Sequence, residues 1–191
     1  MKTSQIWTWA ACAAIAVSLG CAKREESPGA RTSPTPAQPG RLISATVGNQ
    51  APDWQLNDLD GKPVKLSDFR AKKGVLLAFF ATWCPYCMEE VPSLIAFQNA
   101  YKDRSVELIG VDLDQPAQVV KRFAEERKIN YKLLLDPGGR VTTTYGVVGI
   151  PALVGIDATG TVRYLANGLP ENLDALVKQL EAGGAAEVKK P

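Results

Sequence analysis

The chain contains no histidine. That absence excludes histidine-based zinc, copper and haem ligation, and it excludes a Cys–His catalytic pair. Cysteine is scarce, with Cys12, Cys21, Cys84 and Cys87 the only four in 191 residues. A small domain stapled by disulfides needs more of them inside its folded part. Met88 follows Cys87, so the C-x-x-C-H signature of haem attachment is absent. Charge of one sign is also missing: the net charge is +2, and residues 42–183 hold 15 Lys/Arg against 17 Asp/Glu. With no basic stripe on any element, nucleic acid is not an expected partner.

What is present is concentrated in residues 75–92, VLLAFFATWCPYCMEEVP. The apolar run at 75–81 reads as a strand buried on both faces. It passes into Thr82-Trp83-Cys84-Pro85-Tyr86-Cys87 and then into a helix. The first thiol therefore lies near a helix N-terminus, where unpaired N–H groups and the helix dipole favour an anion and lower the Cys84 pKa. A low-pKa thiol with a second cysteine one turn later suits thiol–disulfide exchange. In that reading Cys84 attacks a client disulfide and Cys87 resolves the mixed disulfide. A zinc knuckle would need a second ligand pair, which the domain lacks; a static structural disulfide is the remaining bland reading.

The flanks divide into regions. Residues 1–21 read as a targeting segment, with Lys2 ahead of an apolar stretch. Its end, Ser18-Leu19-Gly20-Cys21, resembles the lipobox of bacterial lipoproteins, with Ser18 where leucine is usual; Cys21 is then the lipidated residue. A cleaved secretory signal and a retained anchor are the alternatives. Residues 22–45, rich in Pro, Ser, Thr and charge, read as a disordered tether. In an extended polyproline conformation its Pro-rich part, residues 22–41, reaches about 60 Å. A domain at 46–183 and a flexible tail at 184–191 complete the chain.

Within the domain, Ala51, Trp54 and Leu56 suggest a short strand, Asp60-Gly61 a hairpin turn, and residues 64–66 its partner. A helix is expected from the cysteines to about Lys102, with Val91, Leu94, Ile95 and Tyr101 inward and a kink at Pro92. Further strands are expected at 106–111, 131–135, 147–156 and 161–165. Helices are expected from Pro116, at 141–145, and from Pro170. The pattern predicts an α/β fold, a mixed central sheet flanked by helices with an N-terminal β-hairpin extension. Pro151 interrupts an apolar strand, which fits either a trans proline at a strand edge or a cis Ile150–Pro151 bond beside the cysteines; the CxxC pair favours cis.

TWCPYC after an apolar strand, with GIP ahead of a strand–turn–strand–helix end, resembles the thioredoxin superfamily. APDWQLNDLDGKPVKLSDF, Glu90-Val91-Pro92 and LLDPGGRVTTTYGVVGIP are similar to the TlpA/ResA-like, membrane-tethered thiol–disulfide oxidoreductases. The resemblance implies a thioredoxin-like fold and a protein disulfide reductase that needs no cofactor or metal. It also implies an extracytoplasmic location and work on client protein disulfides, including apocytochrome c in cytochrome c maturation. A membrane electron donor of the DsbD/CcdA type and a monomeric state go with it. It makes Glu90 a proton acceptor for Cys87 or a tuner of the thiols, against a merely solvated helix residue. Cytosolic thioredoxins carry a buried Asp in the central strand where Ala78 stands here. Ala152 occupies a position where threonine is common. Trp83, Pro85, Tyr86, Ile150 and Pro151 are the expected client-binding residues, though Trp83 as a cover for the core is the alternative.

Two other classes fit these residues less well. A peroxiredoxin-type thiol peroxidase places Thr three residues and Pro seven residues before its cysteine; Ala81 and Leu77 stand there. A copper-delivery protein on the same fold uses CxxxC with a distant histidine, and this chain has neither.

Overall fold

The computed structural model describes residues 45–113 and 115–182. The expected targeting segment with Cys12 and Cys21, all but the last residue of the expected tether, and the expected tail lie outside the described residues. In chain order the elements are β1 (Gln55–Asp58), β2 (Pro63–Lys65), a 3-10 turn (Leu66–Asp68), β3 (Gly74–Phe80), α1 (Pro85–Tyr101), β4 (Val106–Asp112), α2 (Ala117–Arg127), β5 (Lys132–Leu135), α3 (Arg140–Thr144), β6 (Ala152–Ile156), β7 (Val162–Ala166) and α4 (Leu173–Glu181). No helix among the described residues is long and apolar enough to cross a membrane.

The strands form one mixed sheet in the order β2-β1-β5-β4-β3-β6-β7. The two crossovers β3–α1–β4 and β4–α2–β5 join parallel neighbours, while β6 runs antiparallel to β3. All seven residues of β3 are buried, as its unbroken apolar run requires of a strand covered on both faces. Leu76, Ala78, Leu108 and Leu153 pack with Leu94 and Phe97 of α1 and Leu176, Val177 and Leu180 of α4. On the opposite side, Val75, Leu77, Phe79, Ile109 and Val154 meet Trp54, Leu66, Val141 and Tyr145. The N-terminal hairpin β1–β2 joins the sheet by pairing β1 antiparallel to β5.

Several boundaries differ from the sequence expectation. The segment 51–54 precedes the first strand, because Trp54 turns into the core and its carbonyl is held by the Leu66 N–H. Helix α1 buries Cys87, Val91, Leu94 and Phe97; Ile95 is only half-buried, since the inward stripe follows a three- and four-residue rhythm that passes it by. Pro92 lies inside α1, on its exposed side, and does not end it. Pro170 does not open α4: Asn172 caps it, its side-chain oxygen accepting from the Ala175 N–H at 2.9 Å. The segment 147–151 is irregular, and β6 begins only at Ala152.

Gly74 marks where β3 meets the end of α4. A Cβ there would sit 2.7 Å from the Leu180 carbonyl carbon and 2.8 Å from its Cβ. Gly74→Ala is expected to cost about 2–3 kcal/mol by overpacking. Thermal unfolding followed by circular dichroism should show a Tm lower by roughly 5–10 °C; an unchanged Tm would mean that α4 can shift freely.

Candidate redox site

The end of β3 delivers the chain to Ala81, and the turn at 81–84 is closed by the Cys84 N–H donating to the Ala81 carbonyl at 3.1 Å. Cys84 is the N-cap of α1, and Pro85 takes the first helical position, where its missing N–H costs nothing. Cys84 and Cys87 are joined in a disulfide, their Cα atoms 5.3 Å apart. The Cys87 N–H points at the Cys84 sulfur, 3.2 Å away. This is an orphan helix donor satisfied by sulfur, the place where a thiolate gains most from the helix terminus.

Both sulfurs are covered. Cys84 is 4% and Cys87 2% exposed, and they pack with Phe80, Ala81, Val91, Val120, Phe123 and Leu133. The two cysteines thus differ only slightly in burial. Around them the surface is apolar: Trp83 is 66% and Tyr86 71% exposed, and Val148 stands free. Trp83 thus lies open rather than covering the core. These are three of the five large exposed hydrophobics among the described residues. Pro85 is exposed as well.

The antiparallel pairing of β6 with β3 brings the segment before β6 to the cysteines. The Ile150–Pro151 bond is cis, and the Ile150 carbonyl oxygen lies 3.8 Å from the Cys84 sulfur. Ile150 and Pro151 are both half-buried. Cys84, Cys87, Ile150 and Pro151, separated in sequence, thus meet at one end of the sheet. Ala152, just after the proline, is buried and pairs with Phe79.

Glu90 lies one turn beyond Cys87 on α1, while Glu89 faces solvent. The Glu90 Oε1 is buried without a hydrogen-bond partner, against Gly168, where a methyl group would stand 3.6 Å from it. Burial pushes the Glu90 carboxyl up from 4.5 to about 7, opposed by hydrogen bonding from the Leu169 backbone N–H. Tyr131 and Tyr164 border it; their phenols are raised first by burial and then by the Glu90 charge. Ala78 is buried in β3, so that strand presents no acid to the site.

Sequence reasoning missed three neighbours. Tyr131 and Tyr164 fall in the strands expected at 131–135 and 161–165, with nothing in the sequence to tie them to the cysteines. Asn167, whose side-chain amide donates to the Pro151 carbonyl at 3.0 Å, reads as a turn residue in Asn-Gly. The alternation of β7 gives a hint of Tyr164, but nothing local points to Asn167.

The chain is similar in sequence and fold to known proteins. Residues 47–165 match the AhpC/TSA family. The chain is 35% identical over 136 residues to the thiol-disulfide oxidoreductase ResA of Bacillus thuringiensis subsp. konkukian, covering 70% of this chain and 78% of that protein. It superposes with a TM-score of 0.61 on the thioredoxin domain of a thiol-disulfide oxidoreductase from Bacteroides vulgatus, at 30% identity over 72% of this chain and 97% of the other. A secreted disulfide oxidoreductase of Mycobacterium tuberculosis homologous to E. coli DsbE is similar with a TM-score of 0.56 and 26% identity, over 66% and 93% of the two chains. A disulfide between cysteines three residues apart at a helix N-terminus on this sheet, matched over this length, places the chain in the AhpC/TSA family and, within the thioredoxin superfamily, among the TlpA/ResA/DsbE-type thiol–disulfide oxidoreductases.

Proposed function

We propose that the protein is a membrane-tethered, extracytoplasmic reductase of client protein disulfides. The observation that carries this reading is the Cys84–Cys87 disulfide with its first sulfur at the N-cap of α1, facing the Cys87 N–H. In the reduced enzyme the Cys84 thiolate attacks one sulfur of a client disulfide. The client S–S bond breaks, a mixed disulfide forms, and one client sulfur leaves as a thiolate and takes up a proton. Glu90 accepts the proton of Cys87, whose thiolate then attacks the Cys84 sulfur. That step closes the enzyme disulfide and releases the second client thiolate, so two electrons have passed to the client. A dithiol donor of the DsbD/CcdA type, held in the membrane, returns the two electrons.

The leader and tether at 1–45 support the membrane attachment, with Cys21 as the lipidated residue. The secreted DsbE-related relative supports the extracytoplasmic side. Apocytochrome c is the client class that the ResA resemblance suggests. Trp83, Pro85, Tyr86, Ile150 and Pro151 form the docking surface, with an extended client segment laid along the backbone at 148–151.

A paired assay tests the reading against peroxidase chemistry. The purified protein should accelerate insulin reduction by dithiothreitol well above the uncatalysed rate. Hydrogen peroxide should be consumed no faster than by dithiothreitol alone, because Ala81 and Leu77 pack in the core where peroxidatic sites need a hydroxyl and a proline. The reverse pattern would sink the reductase assignment.

A further inference from the structure

The β6–β7 ladder ends at the pair Leu153–Ala166. Carried two residues further, the same register sets Pro151 opposite Gly168. Here the main chain makes no rung; the side-chain amide of Asn167 reaches the Pro151 carbonyl instead, at 3.0 Å. Pro151 has no N–H, so its carbonyl is the single main-chain group by which this residue can be fixed. The loop that carries Asn167 is itself tied down. The Tyr164 hydroxyl donates to the Gly168 carbonyl at 2.5 Å, and Gly168 and Leu169 lie against the Glu90 carboxylate.

We propose that Asn167 is a positioning residue for client docking: its amide continues the sheet by one side-chain rung and sets the plane of the Ile150–Pro151 backbone on which an extended client segment lies. The inference rests on the reductase reading given above. Ile150 is the residue whose carbonyl borders the Cys84 sulfur. A client strand paired there must align its own disulfide with that sulfur. The Pro151 carbonyl belongs to the Pro151–Ala152 peptide and the Ile150 carbonyl to the Ile150–Pro151 peptide. The two planes meet at the Pro151 Cα, where the ring fixes φ, so a wobble of the first is passed to this edge. Asn167 is exposed and touches neither sulfur, so its effect should fall on binding rather than on sulfur exchange.

The chemistry separates two substitutions. Asn167→Ala removes the donor. Asn167→Asp keeps the shape but sets a carboxylate oxygen against a carbonyl oxygen, two acceptors face to face, which turns attraction into repulsion. Steady-state insulin reduction by the full chain, with dithiothreitol saturating, gives KM and kcat separately. The expected result is a KM raised about threefold by Asn167→Ala and about tenfold by Asn167→Asp, with kcat moving less than twofold in both. An unchanged KM, or a loss carried by kcat, overturns the proposal. Failure of the underlying reading would be visible earlier and elsewhere: the unsubstituted protein would not accelerate insulin reduction at all.

Discussion

Cys84→Ser reduces insulin turnover to the rate of dithiothreitol alone, a loss on the order of 10³-fold or more, as expected when the nucleophile of a covalent pathway is removed. The paired substitution Cys87→Ser behaves differently. Its Cys84 thiolate still attacks, but no second thiol arrives to resolve the product, so the mixed disulfide accumulates. Non-reducing electrophoresis after mixing with insulin should show a covalent adduct for Cys87→Ser and none for Cys84→Ser. The order follows from geometry: Cys84 is the N-cap sulfur that the Cys87 N–H faces, and Cys87 lies inside the first turn. An adduct trapped on the Cys84→Ser protein instead would reverse the two roles.

Glu90→Gln should trade activity for stability. The carboxyl is raised from 4.5 to about 7 because burial disfavours its charge. The folded state therefore holds a proton that the unfolded state releases between these two values. Stability is greatest below the unfolded value and declines as pH rises through the folded one. The carboxylate is partly solvated, and screening reduces the effect to about 1–2 kcal/mol. Glutamine carries no charge to desolvate. Urea unfolding at pH 8 should thus find Glu90→Gln more stable by about 1–2 kcal/mol, and its stability flatter between pH 4.5 and 7. The same substitution removes the proton acceptor proposed for Cys87 and should slow turnover about 10²-fold. Unchanged turnover would remove the carboxylate from this role, and no gain in stability at pH 8 would place it in solvent.

The strands with continuous apolar runs were legible in the sequence, and so was the redox turn. Residues 75–81 could only be a doubly covered strand, and Cys84-Pro85 could only begin a helix. The neighbourhood of Cys87 and Pro151 was legible because proline inside an apolar run has few places to go. What stayed hidden depends on pairing across the sheet. That β1 closes on β5 rather than on a nearer strand follows from no local periodicity. Phe97 belongs to the inward stripe of α1, yet Ile95 and Tyr101 fit an apolar face almost as well on paper. Asn167 was invisible for a different reason: an asparagine before glycine is the commonest kind of turn residue, and its bond to Pro151 exists only once β6 and β7 are side by side.

The antiparallel register of β3 and β6, from Val75–Ile156 to Phe79–Ala152, has one more effect. A slip of one residue would carry Pro151 about 3.4 Å along the strand and turn every side chain of β6 to the opposite face. Leu153 would leave the layer under α1 and α4, and Val154 would leave the layer with Trp54 and Tyr145. The hydrophobic core thereby works as an alignment gauge for the chemistry: packing that is right for folding leaves the proline one place to stand, beside the cysteines. Drift in the redox geometry is resisted by residues that never touch a sulfur, which makes folding competence and catalytic alignment a single trait of this chain.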